Sequence, residues 1–430
     1  MGFNLPRSGV LRTLPPDGRI LFSTRIIRLF AYGFLSVVLA LYLVSAGFSK
    51  QEIGRLITWT LLGDVIVTLA ISTTADRLGR RRMLQVGAGL MVMAGLVFAL
   101  TKNPVLLIIA AFVGVVSPNG LEIGPFLSLE QASLTDVIPA SSRTQIFAWY
   151  NLVGSFASAL GALAGGSLAQ ALQHASWDKW QSYRVVVFGY AFLGLVLALL
   201  FLFVSQNVEV KPIATTQASA NRKATGAPIG LHKSRSVVLK LASLFTIDAF
   251  GGGFVGQSIM ILWFTARWQA NAGTLGLIFF WANLLAGISA LSASWVASKI
   301  GLIRTMVFTH LPSNLLLMLV PLMPSLPLAV IVLLLRFSIS QMDVPTRQSY
   351  TMAVVAPDER SAASGVTSIA RSIGASVSPT LAGLLLANPL LLGVPFFLGG
   401  GCKIIYDLLL YRLFVKVKPP EEQDKVKRSS

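Results

Sequence analysis

Ionisable side chains stand inside long apolar runs of this sequence: Asp64, Glu122, Asp248, Arg336, Asp343, Arg371 and Lys403. A charge in hydrocarbon is costly, so one that is kept there usually holds an ion, a substrate or another charge. Arg336, Asp343 and Arg347 follow at spacings of seven and four residues, which puts them on one helical face with Ser340 between the first two. A carboxylate among arginines changes partners when it is protonated or when an anion arrives, as ion-coupled transfer requires. A permanently paired structural network is the alternative. In the next apolar run Thr367, Arg371, Gly374 and Ser378 form a second helical stripe, whose lone cation would attract an anionic group or pair with a neighbouring carboxylate.

The elements that must position these residues are membrane helices. Hydrophobic residues make up 54% of the chain, charged ones 12%, and mean hydropathy is +0.72; soluble proteins carry about 25% charged residues. Crossing a bilayer takes about 20 apolar residues. The runs lie at roughly 23–46, 52–72, 83–101, 104–133, 144–170 and 184–206, then 238–266, 272–298, 303–322, 327–354, 361–386 and 391–414. The fold class read from them is all-α: a polytopic membrane protein with twelve transmembrane helices in two pseudo-symmetric six-helix bundles. The division expected is a tail at 1–22, bundles at 23–206 and 238–414, a basic linker at 207–237 and a tail at 415–430.

Charge sets the orientation. Most of the 35 Lys and Arg fall in the tails, the linker and alternate loops, while the opposite loops hold Lys50, Arg55, Lys102, Lys179, Arg184 and Arg267. Positive charge stays inside. Both termini are therefore expected to be cytoplasmic, in a plasma (inner) membrane protein whose linker cations face anionic lipid headgroups. The net charge of +18 is dispersed among short loops rather than gathered on one soluble surface, so nucleic acid is not an expected partner. The single cysteine, Cys402, rules out an internal disulfide and a cysteine metal site. The N-terminal tail has no compact apolar core followed by a cleavage site, and reads as leading into an uncleaved first helix.

Between the second and third runs lies Asp76-Arg77-Leu78-Gly79-Arg80-Arg81-Arg82. This turn resembles the loop signature of the major facilitator superfamily, with Ser72 where the pattern opens on glycine. The resemblance spans nearly the whole chain. It implies a cofactor-free secondary transporter working by alternating access, with a small-molecule substrate, a proton or other coupling ion, and a monomeric state. It also implies that Asp76 caps the N-terminal end of the eleventh helix as a latch, and that Glu130 and Arg347 close a cytoplasmic gate with loop residues Arg77, Arg80 and Arg81.

Placing Ser72 on Ser294 aligns Ala75 with Ala297, Arg77 with Lys299, Gly79 with Gly301 and Arg82 with Arg304, which suggests an internal duplication. The fourth and tenth runs are both long and broken by proline, at Pro118 and Pro125 and at Pro345. Gly365, Gly374, Ser378-Pro379 and Ala382-Gly383 are similar to the superfamily's antiporter motif, here in the eleventh run, where the alternative is ordinary small-residue packing. Proton-coupled drug exporters carry an arginine in the fourth helix where this chain reads Val116-Ser117-Pro118-Asn119-Gly120. Protons would then be handled at Asp343 or Glu122.

Lys403 could pair with Asp407 one turn on, and His310 and Asn314, which share a helical face, are expected to be satisfied in packing rather than to form a proton relay. Enzymatic function is not expected. The histidines His174, His232 and His310 have no nucleophile or metal partner near them in sequence, and no phosphate-binding GxxxxGK[ST] occurs. The favoured function is proton-coupled export of a drug-like or metabolic compound. Uptake or exchange of an organic anion, or a non-transporting sensor of the same fold, are the alternatives.

Overall fold

The computed structural model describes residues 14–120, 124–138, 143–205, 208–209, 231–356 and 359–417. Backbone in hydrocarbon must satisfy its own polar groups, and the apolar runs are accordingly helical. The helices are α1 (Pro16–Ser45), α2 (Lys50–Leu78), α3 (Arg80–Leu100), α4 (Pro104–Val113), α5 (Phe126–Val137), α6 (Arg143–His174), α7 (Lys179–Leu202), α8 (Arg235–Gly253), α9 (Gln257–Trp268), α10 (Ala272–Ile300), α11 (Leu302–Leu319), α12 (Leu326–Ile339), α13 (Asp343–Val354), α14 (Arg360–Ala387) and α15 (Val394–Phe414). No strand occurs among the described residues. Among the described residues eleven stretches are long and apolar enough to cross a membrane, with α8 and α9 forming one and α12 and α13 another. The fourth run is the exception. It divides into α4 and α5, and the ten residues of α4 are too short to cross alone.

Local chemistry sets the ends. Ser49 and Glu52 exchange reciprocal bonds at the start of α2: the Ser49 N–H donates to the Glu52 carboxylate at 2.8 Å, and the Glu52 N–H to Ser49 Oγ at 3.2 Å. Such a capping box is worth about 1 kcal/mol. Gly79 precedes α3 with φ of +97°, and Gly301 precedes α11 with φ of +88°. Both lie in the region that favours glycine. The two glycines matched in the sequence thus make corresponding turns.

Helix breaks fall where the sequence places Gly and Pro. At Gly114–Gly120, and again at Gly124 and Pro125, the backbone is not helical, and hydroxyls from other segments take over carbonyls of the first stretch. Tyr190 donates to Val115 O, Ser258 to Pro118 O, and Ser158 to Gly120 O at 2.7 Å. A second break at Ser340–Met342 separates α12 from α13.

The chain divides into two compact units. One holds residues 1–210, 255–284 and 379–392; the other holds 211–254, 285–378 and 393–430. These borders differ from the sequence-based bundles of 23–206 and 238–414, because α9, the first part of α10 and the last part of α14 group with the first unit. They fall at the break after α8 and at Pro379, a proline inside α14. In the first unit, α1 and α6 touch backbone to backbone: a Cβ on Gly33 would lie 2.0 Å from Ser158 O. In the second, Leu241, Phe245, Met306, Tyr350, Tyr406 and Leu410 form an apolar cluster.

Candidate functional site

The second unit gathers charge around one carboxylate. Asp248 projects from α8 and is 3% exposed. Lys403 Nζ of α15 lies 2.7 Å from its Oδ1, and Arg347 Nη1 of α13 and Arg371 Nη1 of α14 lie 3.0 and 3.3 Å from its Oδ2. His310 Nε2 of α11 is 3.8 Å from Oδ1. Helical spacing supplies the next layer. Arg347 Nη1 also bonds Asp343 Oδ2 one turn earlier at 3.0 Å, and His310 Nδ1 meets Asp407 Oδ1 at 2.9 Å. Asn314, one turn beyond His310, donates to Asp407 Oδ2 at 3.0 Å.

Basic and acidic groups in this cluster differ in number. Asp248, Asp343 and Asp407 stand against Arg336, Arg347, Arg371 and Lys403, so four basic side chains meet three carboxylates. Arg336 is 7% exposed, lies over the Phe337 ring at 4.6 Å, and has no hydrogen-bond partner for its Nε. An orphaned buried donor costs about 1–3 kcal/mol, more when charged. Arg371 is the open member, with 34% of its side chain exposed. A mobile anion would satisfy both the unmatched basic group and the orphaned donor.

Sequence geometry is corrected in two places. The break at Ser340–Met342 interrupts the continuous helix assumed for Arg336 and Asp343, so Asp343 bonds Arg347 rather than Arg336. Lys403 reaches Asp248 rather than Asp407, which His310 and Asn314 occupy instead. His310 and Asn314, expected to be satisfied in packing, find that satisfaction on Asp407 and stand beside the polar cluster. Their signal was present in the sequence: polar groups at i and i+4 inside apolar runs, on two different helices.

The first unit carries a separate buried pair. Glu130 of α5 is fully buried and accepts from Arg28 Nη1 and Nη2 at 2.5 and 2.8 Å, from Thr24 at 2.9 Å, and from Tyr150. Neither gate candidate meets a loop arginine here: Glu130 is taken by Arg28 and Arg347 by the two aspartates. Arg28 was legible as a charge inside the first apolar run. Asp64 Oδ1 accepts the Gly124 N–H at 2.6 Å, tying α2 to the start of α5. Glu122 and the side chain of Asp76 lie outside the described residues.

In the loop motif, Arg77 is exposed, Arg80 Nη1 reaches Val208 O at 3.4 Å, and Arg81 Nη2 reaches Leu202 O at 2.6 Å. The last two place cations near the C-terminal end of α7, where the helix dipole favours them. Glu209 accepts the N–H groups of Arg80 and Arg81 at 2.7 and 3.2 Å. The small residues of α14 divide by neighbour. A Cβ on Gly374 would lie 2.5 Å from Thr246 O, Gly383 and Pro379 abut Gly54 of α2, and Gly365 has open space. Among the described residues no group of His, Cys, Asp and Glu could hold a metal ion.

The model of the Major Facilitator Superfamily matches residues 21–379. A relative in Saccharomyces cerevisiae, the uncharacterized membrane protein YJR124C, is 31% identical over 425 residues, covering 93% of this chain and 94% of its own. Among solved structures, the fold is similar to an occupied, inward-facing bacterial homolog of the human lysosomal transporter Spinster (TM-score 0.71, 14% identity, 97% of this chain and 99% of that one). It is also similar to the nucleoside transporter NupG (TM-score 0.70, 12% identity, 93% and 99%). An apolar all-helical chain with buried charges is thereby joined to a family match over most of its length, and the protein belongs to the Major Facilitator Superfamily, a membrane transporter rather than an enzyme.

Proposed function

We propose that this protein is a secondary active transporter that moves a small organic anion with a proton, by alternating access between six-helix bundles at about 23–206 and 238–414, with both termini cytoplasmic. One observation carries the substrate class: the buried cluster around Asp248 has one more basic side chain than carboxylates, and Arg336 Nε in it is without a hydrogen bond. An anion arriving there competes with Asp248 for Arg371, the cluster's exposed member. Asp248 then turns to Lys403 and Arg347, which already hold it, so no buried carboxylate is stranded. Partner exchange of this kind lets binding at one group alter affinity at another.

Export of a drug-like compound is the second reading, favoured by the close approach of Gly374 to Thr246 within the antiporter-like stretch of α14. Flux separates the two. Purified protein in proteoliposomes is to be tested with radiolabelled benzoate and succinate as anion probes and ethidium as a cationic probe, under imposed pH and sodium gradients. Anion accumulation driven by a pH gradient and collapsed by a protonophore is expected. Ethidium movement without anion movement would replace the anion reading with the export reading.

A further inference from the structure

The polar groups around His310 have a feature that simple packing does not require. Its ring stands between two carboxylates on different helices, Asp407 of α15 at 2.9 Å from Nδ1 and Asp248 of α8 at 3.8 Å from Nε2. Asp407 is fully buried and His310 is 4% exposed. Asp407 accepts from Nδ1 at 2.9 Å, and the Asn314 amide, 3.3 Å from Nδ1, donates to that carboxylate's other oxygen at the shorter 3.0 Å. The shorter contacts favour the Nδ1–H tautomer. Neutral His310 then presents the bare lone pair of Nε2 to Asp248, at a distance beyond hydrogen-bonding reach.

We propose that His310 is a proton-binding site, and that its protonation is coupled to occupancy of the Asp248 cluster by an anion; the coupling rests on the anion reading above, the proton site does not. The incoming proton adds to the Nε2 lone pair while Nδ1–H stays on Asp407, so the imidazolium donates towards both carboxylates at once. Nothing else is bound or released in the step. Lys403 already holds Oδ1 of Asp248 at 2.7 Å, so the protonated ring and the ammonium address the same oxygen. Protonation adds one positive charge to the cluster. An anion near Arg371 and Arg336 binds more tightly in that state, and by reciprocity its binding favours protonation. Proton and anion therefore travel together.

The groups facing His310 are Asp407, Tyr406 and Lys403 on α15 and Asp248 on α8; Arg347 and Asp343 of α13, Arg371 of α14 and Arg336 of α12 act through Asp248. Asp343, the sequence-based candidate for proton handling, already has its Oδ2 on Arg347, which it shares with Asp248. His310 has the better disposition. Its Nε2 faces a carboxylate without a bond to it.

The chain's three histidines make the test direct. Protein labelled with nitrogen-15 only in histidine, in detergent micelles, is titrated by NMR from about pH 5 to about pH 9, the range in which an imidazole changes charge. His310→Gln identifies the signal. A single Nδ1–H tautomer at high pH, converting to the doubly protonated ring within this range, is expected; in Asp407→Asn the doubly protonated fraction at about pH 6 falls at least five-fold. A His310 signal that remains one neutral tautomer throughout overturns the proton site, as does an unchanged titration in Asp407→Asn. Added benzoate should raise the protonated fraction at fixed pH. Protonation with no response to benzoate, in protein that transports benzoate, overturns the coupling, whereas protonation in protein that moves neither benzoate nor succinate refutes the anion reading and leaves the proton site standing.

Discussion

Glu130 and Asp248 are both buried carboxylates on membrane helices, and they have been provided for differently. Glu130 holds one cation, Arg28, through two parallel bonds, and Thr24 and Tyr150 fill its remaining acceptor positions. Asp248 is shared by Lys403, Arg347 and Arg371 on three helices, with His310 near a fourth approach. The bidentate pair has one good arrangement and resists change. The shared carboxylate has several of comparable geometry, so losing one partner leaves others. On the proposed function, the first belongs to architecture and the second to exchange.

Removing one partner from each should expose that contrast, with the largest effect at Glu130. Arg28→Ala strands a buried carboxylate, and a loss of about 3–5 kcal/mol is expected from thermal unfolding in detergent. Lys403→Met should cost less than half as much, about 1–2 kcal/mol, because Arg347 and Arg371 stay on Asp248. Equal losses would remove the distinction. On function the order reverses: Asp248→Asn should lower gradient-driven benzoate accumulation by roughly ten-fold or more while the protein remains monodisperse on size exclusion. Asp343→Asn, which removes one of Arg347's two carboxylates, should reduce uphill accumulation while leaving exchange measurable; unchanged accumulation would exclude Asp343 from coupling.

The paired turns offer a smaller comparison. Gly79→Ala and Gly301→Ala each force a side chain into the left-handed region, at about 1–2 kcal/mol. At Gly79 the added Cβ would also meet the Glu209 carboxylate at 2.9 Å, which holds the N–H groups of Arg80 and Arg81. Unfolding temperatures of the two variants provide the check. The smallest effect is expected at Glu359. Burial pushes that carboxyl up, but the N–H groups of His232, Lys233 and Ser234 and the Ser234 side chain outweigh it and hold it at about 2, against an ordinary 4.5. With the folded value depressed, its stabilising contribution is complete above about 4.5 and is lost as pH falls towards about 2. Hydrogen exchange of the amides from His232 to Ser234 should quicken over that window beyond the intrinsic pH trend, and Glu359→Gln should abolish the excess.

The helical class and the sequence positions of most crossings were legible because apolar length and Gly or Pro punctuation are local signals. Gly79 and Gly301 are the clearest instance: sequence alignment paired them, and both turn with positive φ. Buried charges were legible one at a time. Their partners were not, since which carboxylate a lysine meets depends on which helices adjoin. Spacing alone pairs Lys403 with Asp407, yet α8 brings Asp248 to the lysine and α11 brings His310 to Asp407. The division of α4 from α5 shows the same limit: proline and glycine signal a break, but not the hydroxyls that sustain it.

That division has a consequence for biogenesis. At about 1.5 Å per residue α4 is roughly 15 Å long, half the hydrocarbon thickness, so the insertion machinery cannot treat it as a stop of its own. The carbonyls that follow are satisfied by Ser158, Tyr190 and Ser258. The last of these emerges from the ribosome well beyond the middle of the chain. Pro118 O therefore lacks this donor until more than a hundred further residues have been synthesised.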